Sequence, residues 1–460
     1  MAFALSIGLF VYFWVIGYAV VAALHTQRDL VRNALIAPAV GVVCTIYPVY
    51  LLSRLGFPVR SFAHILTAIT IAVAVILLVW RRPLVPRRHL VPYLPILVFA
   101  FAAVGWPLLS AGFAWLGSIN PDMSNYVLLA HRLAEQAYIQ APDPTVWRQQ
   151  SDWVAYSVVY TAIGSRSGAE LLLAWLIVLT GWNGVIVYMP LLIALHVALI
   201  TAATALISTP HRYARLLAAV LLSSSATLTL GIVFQLLAQV LGLLLLALGS
   251  VLCLAPIYRL SWRAFSKFVP LAAITMATLM LTYPEVLPFF GIAFLLYHGL
   301  AANEVRRFLR PALVTVLAIA IIGSLLITPD AMGYFTFLVV QARSSQANMA
   351  LPELFPYFLV PQGLAALWGF PIVGAQLNVA IIVVGIIVGA GLGIAAIAST
   401  VWLITRRESE AALAAVMIAL APFLFFANSG FGLLKLAMFA QPFLLSTLVV
   451  ALCRLFRVIR

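Results

Sequence analysis

The stretch Gly117-Ser118-Ile119-Asn120-Pro121-Asp122-Met123-Ser124-Asn125-Tyr126 interrupts a chain that is otherwise mostly apolar. It lies near the start of the longest break in the hydrophobic pattern, residues 112–184. That break holds Asp122, Glu135, Asp143, Asp152 and Glu170, five of only 12 acidic residues among 460. Around it run apolar segments of roughly 20 residues, the length needed to cross a bilayer as a helix. They are continuous, whereas barrel strands alternate in segments of about ten residues. The fold class is therefore an all-α polytopic membrane protein.

Composition agrees. The chain is 65% hydrophobic and 8% charged, against about 25% charged in a soluble domain. Its mean hydropathy is +1.13. About 13 transmembrane helices fit, at roughly 2–24, 34–53, 61–80, 92–111, 186–208, 216–232, 236–255, 268–282, 286–301, 311–328, 379–403, 411–427 and 434–453. The first is read as a retained span, because no basic segment or small-residue cleavage site marks a signal peptide. Residues 1–91 form an N-terminal three-helix addition. Residues 92–328 form a module with the first long loop, 112–185. Residues 329–460 carry a second loop, 329–378, and the last helices.

The net charge of +14 does not point to nucleic acid, because the arginines are scattered through short loops. They are orientation charges. With the N-terminus outside and sides alternating, 19 of the 26 basic residues fall inside. These include Arg32, the pairs Arg81-Arg82 and Arg87-Arg88, Arg215, Arg406-Arg407 and Arg454, and the C-terminus is cytoplasmic. Both long loops then lie outside, with interfacial helices expected at Met123–Ala137, Gly168–Leu179 and Phe335–Ala342. Cys44, Cys253 and Cys453 sit in or at the end of apolar runs, and none is placed for a disulfide. Arginine is preferred over lysine, Lys267 and Lys435 being the only lysines. That usage suggests a high-GC bacterium, and the expected location is the bacterial inner membrane with the site facing the periplasm.

Asn120, Pro121 and Asp122 suit a helix start: a cap, a proline in the first turn, and an acid at the positive end of the dipole. The same Asp122 is placed to act as a general base at the membrane surface. Tyr283-Pro284-Glu285 breaks a helical hairpin. Glu285 is either a turn acid or a contact to a sugar or acceptor, since an acid at this depth is expensive without a partner. Lys435 opens the last span and either snorkels or holds a phosphate. Arg132 follows Asp122 on the same helix and is a candidate phosphate clamp facing the same cleft. Its neighbour His131 reads as an interfacial residue. Arg343 is the sole cation of the second loop and a candidate for lipid phosphate. Gln235 and Gln239 mark another turn, where amides satisfy backbone or touch ligand. The Trp147–Trp153 segment reads as interfacial belt before sugar platform.

A span, a long outer loop whose first acid opens an interfacial helix, and a span back resemble the C-type glycosyltransferases. In that superfamily an Asp near the start of the first outer loop is the catalytic carboxylate, and Asp122 is the matching position. The family places this loop after its first span, whereas here it follows the fourth. The resemblance covers roughly residues 92–301. It implies a sugar donor carried on polyprenyl phosphate and a glycan or lipid acceptor, with membrane lipids as surroundings and no nucleic acid. The substrate-binding set is Glu285, Lys435, Arg132, Arg343 and Tyr283. No cofactor is expected. Metal-dependent members use a second acid just after the first, but Met123 and Ser124 stand there, so a divalent metal is not supported. There is no phosphate-binding Gly-rich loop and no HExxH. The competing reading is a transporter or flippase. Transporters place ionisable residues mid-membrane and build on repeats, and neither pattern is seen here.

Overall fold

In lipid every backbone N–H and C=O must be satisfied within its own segment, so apolar runs fold as helices. The computed structural model describes residues 1–24, 29–83, 85–117, 121–140, 166–208, 212–254, 269–305, 309–328, 330–348, 356–372 and 378–459. Among the described residues there is no strand. From the N-terminus the main helices are α1 (Ala2–Leu24), α2 (Leu30–Arg54), α3 (Val59–Arg81), α4 (Leu94–Ala111), α5 (Pro121–Glu135) and α6 (Gly168–Thr180). Next come α7 (Gly184–Thr204), α8 (Arg212–Ser223), α9 (Ala226–Val233), α10 (Leu237–Cys253), α11 (Val269–Thr282) and α12 (Leu287–Val305). The chain closes with α13 (Leu309–Ile327), α14 (Ala331–Asn348), α15 (Val379–Thr405), α16 (Glu410–Phe426) and α17 (Gly430–Ile459).

Among the described residues, seven helical stretches are long and apolar enough to cross a membrane, or up to 10 if each of three bent pairs counts as one span. About thirteen were expected from hydropathy. The difference lies in length and bending. Helices α10 and α16 have 17 residues each, or about 26 Å against a ~30 Å hydrocarbon core. The α11–α12 pair bends by 115° at Tyr283.

Helix α6 also departs from expectation. Read as interfacial, it is buried along Gly168–Ile177 and packs against α2, α3, α5, α7 and α11. Its sequence is apolar all round, and a helix without a polar face belongs in the interior. Trp175 fills that interior and donates its indole N–H to Thr67 on α3 at 2.9 Å. By contrast, α3 and α15 expose Ile69, Ile76, Val384, Ile387 and Ile394, as lipid-facing helices do.

Glycines set a close helix pair, α1 on α2. A Cβ built on Gly17 of α1 would lie 1.8 Å from the Ala37 carbonyl oxygen, and one on Gly41 of α2 would lie 1.9 Å from that of Phe13. The backbones touch, as at small-residue interfaces in membranes. Gly17→Leu is expected to cost about 3 kcal/mol or more through overpacking and to lower the thermal midpoint in detergent. Gly8→Leu is the control, since nothing lies within 4 Å of that position.

Interior hydroxyls are satisfied locally. Thr45, Thr67, Thr275, Thr278, Thr282 and Thr447 each donate to the carbonyl four residues back, at 2.7–2.9 Å. One end of the bundle is cross-tied by charge. Asp29 caps α2 and pairs with Arg215 at 2.5 Å. Arg32 Nε donates to Ala205 O at 2.8 Å, and the Ser208 amide donates to Glu410 at 2.7 Å. Arg454 pairs with Glu408. The candidate site lies at the opposite ends of α2, α7 and α17.

Candidate functional site

Helix α5 carries its acid in the first turn and buries Met123, Tyr126, Val127, Ala130, Leu133 and Ala134. That three-and-four spacing gives one apolar face, which packs on α6. Asp122 is left exposed at the helix start. The expected cap, Asn120, lies outside the described residues.

Arg166 is the hub of the site. Its guanidinium pairs with Glu285 in the turn Pro284–Val286. It donates to the Tyr126 hydroxyl at 3.4 Å. It also lies over the rings of Tyr283 and Phe337, at 4.8 and 5.6 Å from their centroids. The Arg166 and Glu285 side chains are only 21% and 22% exposed, so this pair is shielded in a way that surface bridges are not. Small residues bring the pieces together. The Ser167 amide donates to Leu281 O at 2.9 Å. Gly168 abuts Thr282 so closely that a Cβ there would lie 2.2 Å from its hydroxyl. A Cβ on Gly242 of α10 would lie 2.4 Å from the Cβ of Tyr283, and Tyr283 meets Phe439 of α17 edge-on at 5.9 Å.

Lys435 approaches from α17. Its Nζ lies 4.5 Å from the Phe431 ring centroid, and it is within electrostatic reach of Arg166, Glu285 and Asp122. Glu285 and Tyr283 thus pack on Arg166, with Lys435 in electrostatic reach of it and Asp122 in reach of Lys435 and Tyr126.

Two neighbouring groups are strongly affected by burial. Glu170, one turn after Arg166, is 4% exposed and its Oε2 has no hydrogen-bond partner. Burial outweighs its own amide and the Arg166 charge and pushes its carboxyl up to about 7. Burial likewise pushes the Tyr126 phenol up to about 12, so it serves as a neutral hydroxyl.

Arg132 does not join this group. Its guanidinium donates to the Gln140 carbonyl, and its side chain is buried beside Tyr138. Ten residues along α5 separate it from Asp122, or about 15 Å of rise. His131 accepts from the Gly184 amide at 3.2 Å, a packing role. Gln235 donates to Leu116 O, and Gln239 contacts Met438 Sδ at 3.8 Å, so these amides satisfy protein groups. Arg343 lies in α14, and its side chain, like Asp143 and Asp152, falls outside the described residues. Among the described residues no three His, Cys, Asp or Glu side chains are placed to hold a metal.

No family model, curated protein or solved structure matches the chain. Its chemistry is therefore read from its own residues.

A second polar group adjoins the first. Asp330 pairs with Arg54 at 3.1 Å and accepts from the Tyr50 hydroxyl at 2.6 Å. Tyr138 and Tyr334 share a hydroxyl contact at 3.3 Å, and the Tyr138 amide donates to Ser53 at 3.0 Å. The Tyr138 hydroxyl also meets Ser167, beside Arg166. This seam ties α2 and α14 to the entry of α6. Sequence reasoning passed over Arg166, Tyr126, Glu170 and Asp330. The one available signal was the spacing Arg166-x-x-x-Glu170, two opposite charges one helical turn apart.

Proposed function

We propose that the Asp122–Arg166–Glu285–Lys435 group is the active site of a membrane glycosyltransferase. It transfers a sugar from a polyprenyl-phosphate carrier to a glycan or lipid acceptor on the extracytoplasmic side. The observation that supports this is an exposed carboxylate, Asp122, in electrostatic reach of Lys435, which is itself in reach of Arg166, at one end of an apolar helical bundle. Displacement at a phosphate-linked sugar needs those two kinds of group. The acceptor hydroxyl attacks the anomeric carbon, the carbon–oxygen bond to phosphate breaks, and configuration inverts. Asp122 takes the hydroxyl proton as general base. Lys435, a point charge, and Arg166, a planar fork, stabilise the charge growing on the departing phosphate. Glu285 and Tyr126 hold Arg166 in register, and Tyr283 gives its guanidinium a face to lie on. The donor arrives from the lipid, which the exposed apolar helices favour.

The test uses full-length protein in proteoliposomes supplied with radiolabelled polyprenyl-phosphate sugars of several kinds. Transfer to an acceptor by wild type and its loss in Asp122→Asn support the reading. Passage of label across the bilayer without transfer would point to a flippase instead. Transfer undiminished in the variant removes Asp122 from the chemistry.

A further inference from the structure

Glu170 has no part in the chemistry just described, yet it is the most unusual carboxyl at the site. It is fully enclosed, its Oε2 is unpartnered, and it lies behind Arg166 on a helix too short to span. A buried carboxylate without full hydrogen bonding is costly, and such a group keeps its proton instead. The charges around it explain what that proton does. Arg166 and Glu285 act on it directly. From α5 come the neutral Tyr126 and, farther off, Asp122, and from α7 comes Tyr188. The stretches of α10 and α11 beside it carry apolar, glycine, glutamine and threonine residues. On α3, His64 is exposed, and on α2, Arg54 is engaged by Asp330.

With Glu170 neutral, Arg166 and Lys435 balance Glu285 and Asp122. With Glu170 ionised, the site carries one net negative charge. An arriving phosphodiester anion then meets repulsion from three carboxylates instead of two. We propose that Glu170 couples occupancy of the anion site to proton binding: a phosphodiester seats beside Arg166 and Lys435 only with Glu170 protonated. The proton comes from the medium when the anion binds above neutrality, and it returns when the anion leaves. This rests on the active-site reading above. By linkage the effect is reciprocal, so the anion raises the proton affinity of Glu170 as much as the proton raises that of the anion.

The experiment is calorimetric titration of the full chain in detergent with geranyl methyl phosphate. This phosphodiester holds a single charge throughout the range used, so the probe does not titrate. Affinity in wild type is expected to be level below about pH 6 and to fall toward a limit of about tenfold per pH unit above neutrality. In Glu170→Gln, a neutral isostere, it should stay level. Titrations at pH 8 in two buffers of different ionisation heat should show nearly one proton taken up per probe by wild type, and none at pH 5.5. The pH slope persisting in Glu170→Gln, or no proton uptake by wild type at pH 8, overturns the proposal. The uptake measurement uses wild type alone, so its failure overturns the proposal even if the variant does not fold. Binding that is lost in Arg166→Ala but flat with pH removes Glu170 only. No binding at any pH, or binding indifferent to Arg166→Ala, removes the active-site reading and this inference with it.

Discussion

Asp122→Asn is expected to lower sugar transfer by about 10²–10⁴-fold, the usual contribution of a positioned general base. Donor binding should stay within about threefold, because the cations proposed to hold phosphate are on other elements. Asn keeps the shape and the helix-start hydrogen bonding of Asp, so the thermal midpoint should move little. The side chain loses only its charge and its ability to take a proton. The pattern to look for is therefore a fall in kcat with KM nearly unchanged, which marks an interaction made in the transition state. Equal transfer by Asn and Asp at saturating donor would mean that another group takes the proton.

Arg166→Ala is expected to have two separable effects. It removes the partner of Glu285 in a pair less than a quarter exposed on each side, which costs ~3 kcal/mol by leaving a shielded carboxylate uncompensated. It also removes the proposed phosphate donor, so affinity for a polyprenyl-phosphate ligand should fall by about 10- to 100-fold, on the scale of a lost charge-assisted pair. The double variant Arg166→Ala/Glu285→Ala should recover most of the thermal stability and none of the affinity. Neighbours in one ion pair are non-additive, and that cycle measures the coupling. Stability unrestored by the second change would mean that the Tyr283 and Phe337 contacts, rather than the ion pair, hold Arg166.

How much of this was legible in the sequence depends on distance along the chain. The helices were, because apolar runs in lipid leave the backbone no other choice. Helix α5 was, because its proline, its acid and its spaced apolar residues are all local. Glu285 and Lys435 drew attention by rarity, as ionisable residues at the ends of apolar segments, and the fold brings both near Arg166. Arg166 was not legible. Its partner Glu285 is 119 residues away, and nothing at positions 164–168 announces the pairing. Arg132 was misplaced for a related reason. Sharing a helix with Asp122 says nothing about sharing an end of it, and the Gln140 carbonyl claims its guanidinium. Helix α6 was assigned to the membrane surface by length, although its lack of any polar face was the better guide.

The interior threonines carry a last consequence. Each hydroxyl donates to a carbonyl of its own helix, and Thr67 and Thr447 also bond a neighbouring helix, at Trp175 and at the Glu410 carbonyl. Neighbouring helices are also held by fit, most visibly where Gly17 and Gly41 let two backbones meet. A chain assembled this way is forgiving of chemistry and unforgiving of bulk. Its sequence is free to drift among small side chains of differing polarity, while the outline of each helix is held fixed.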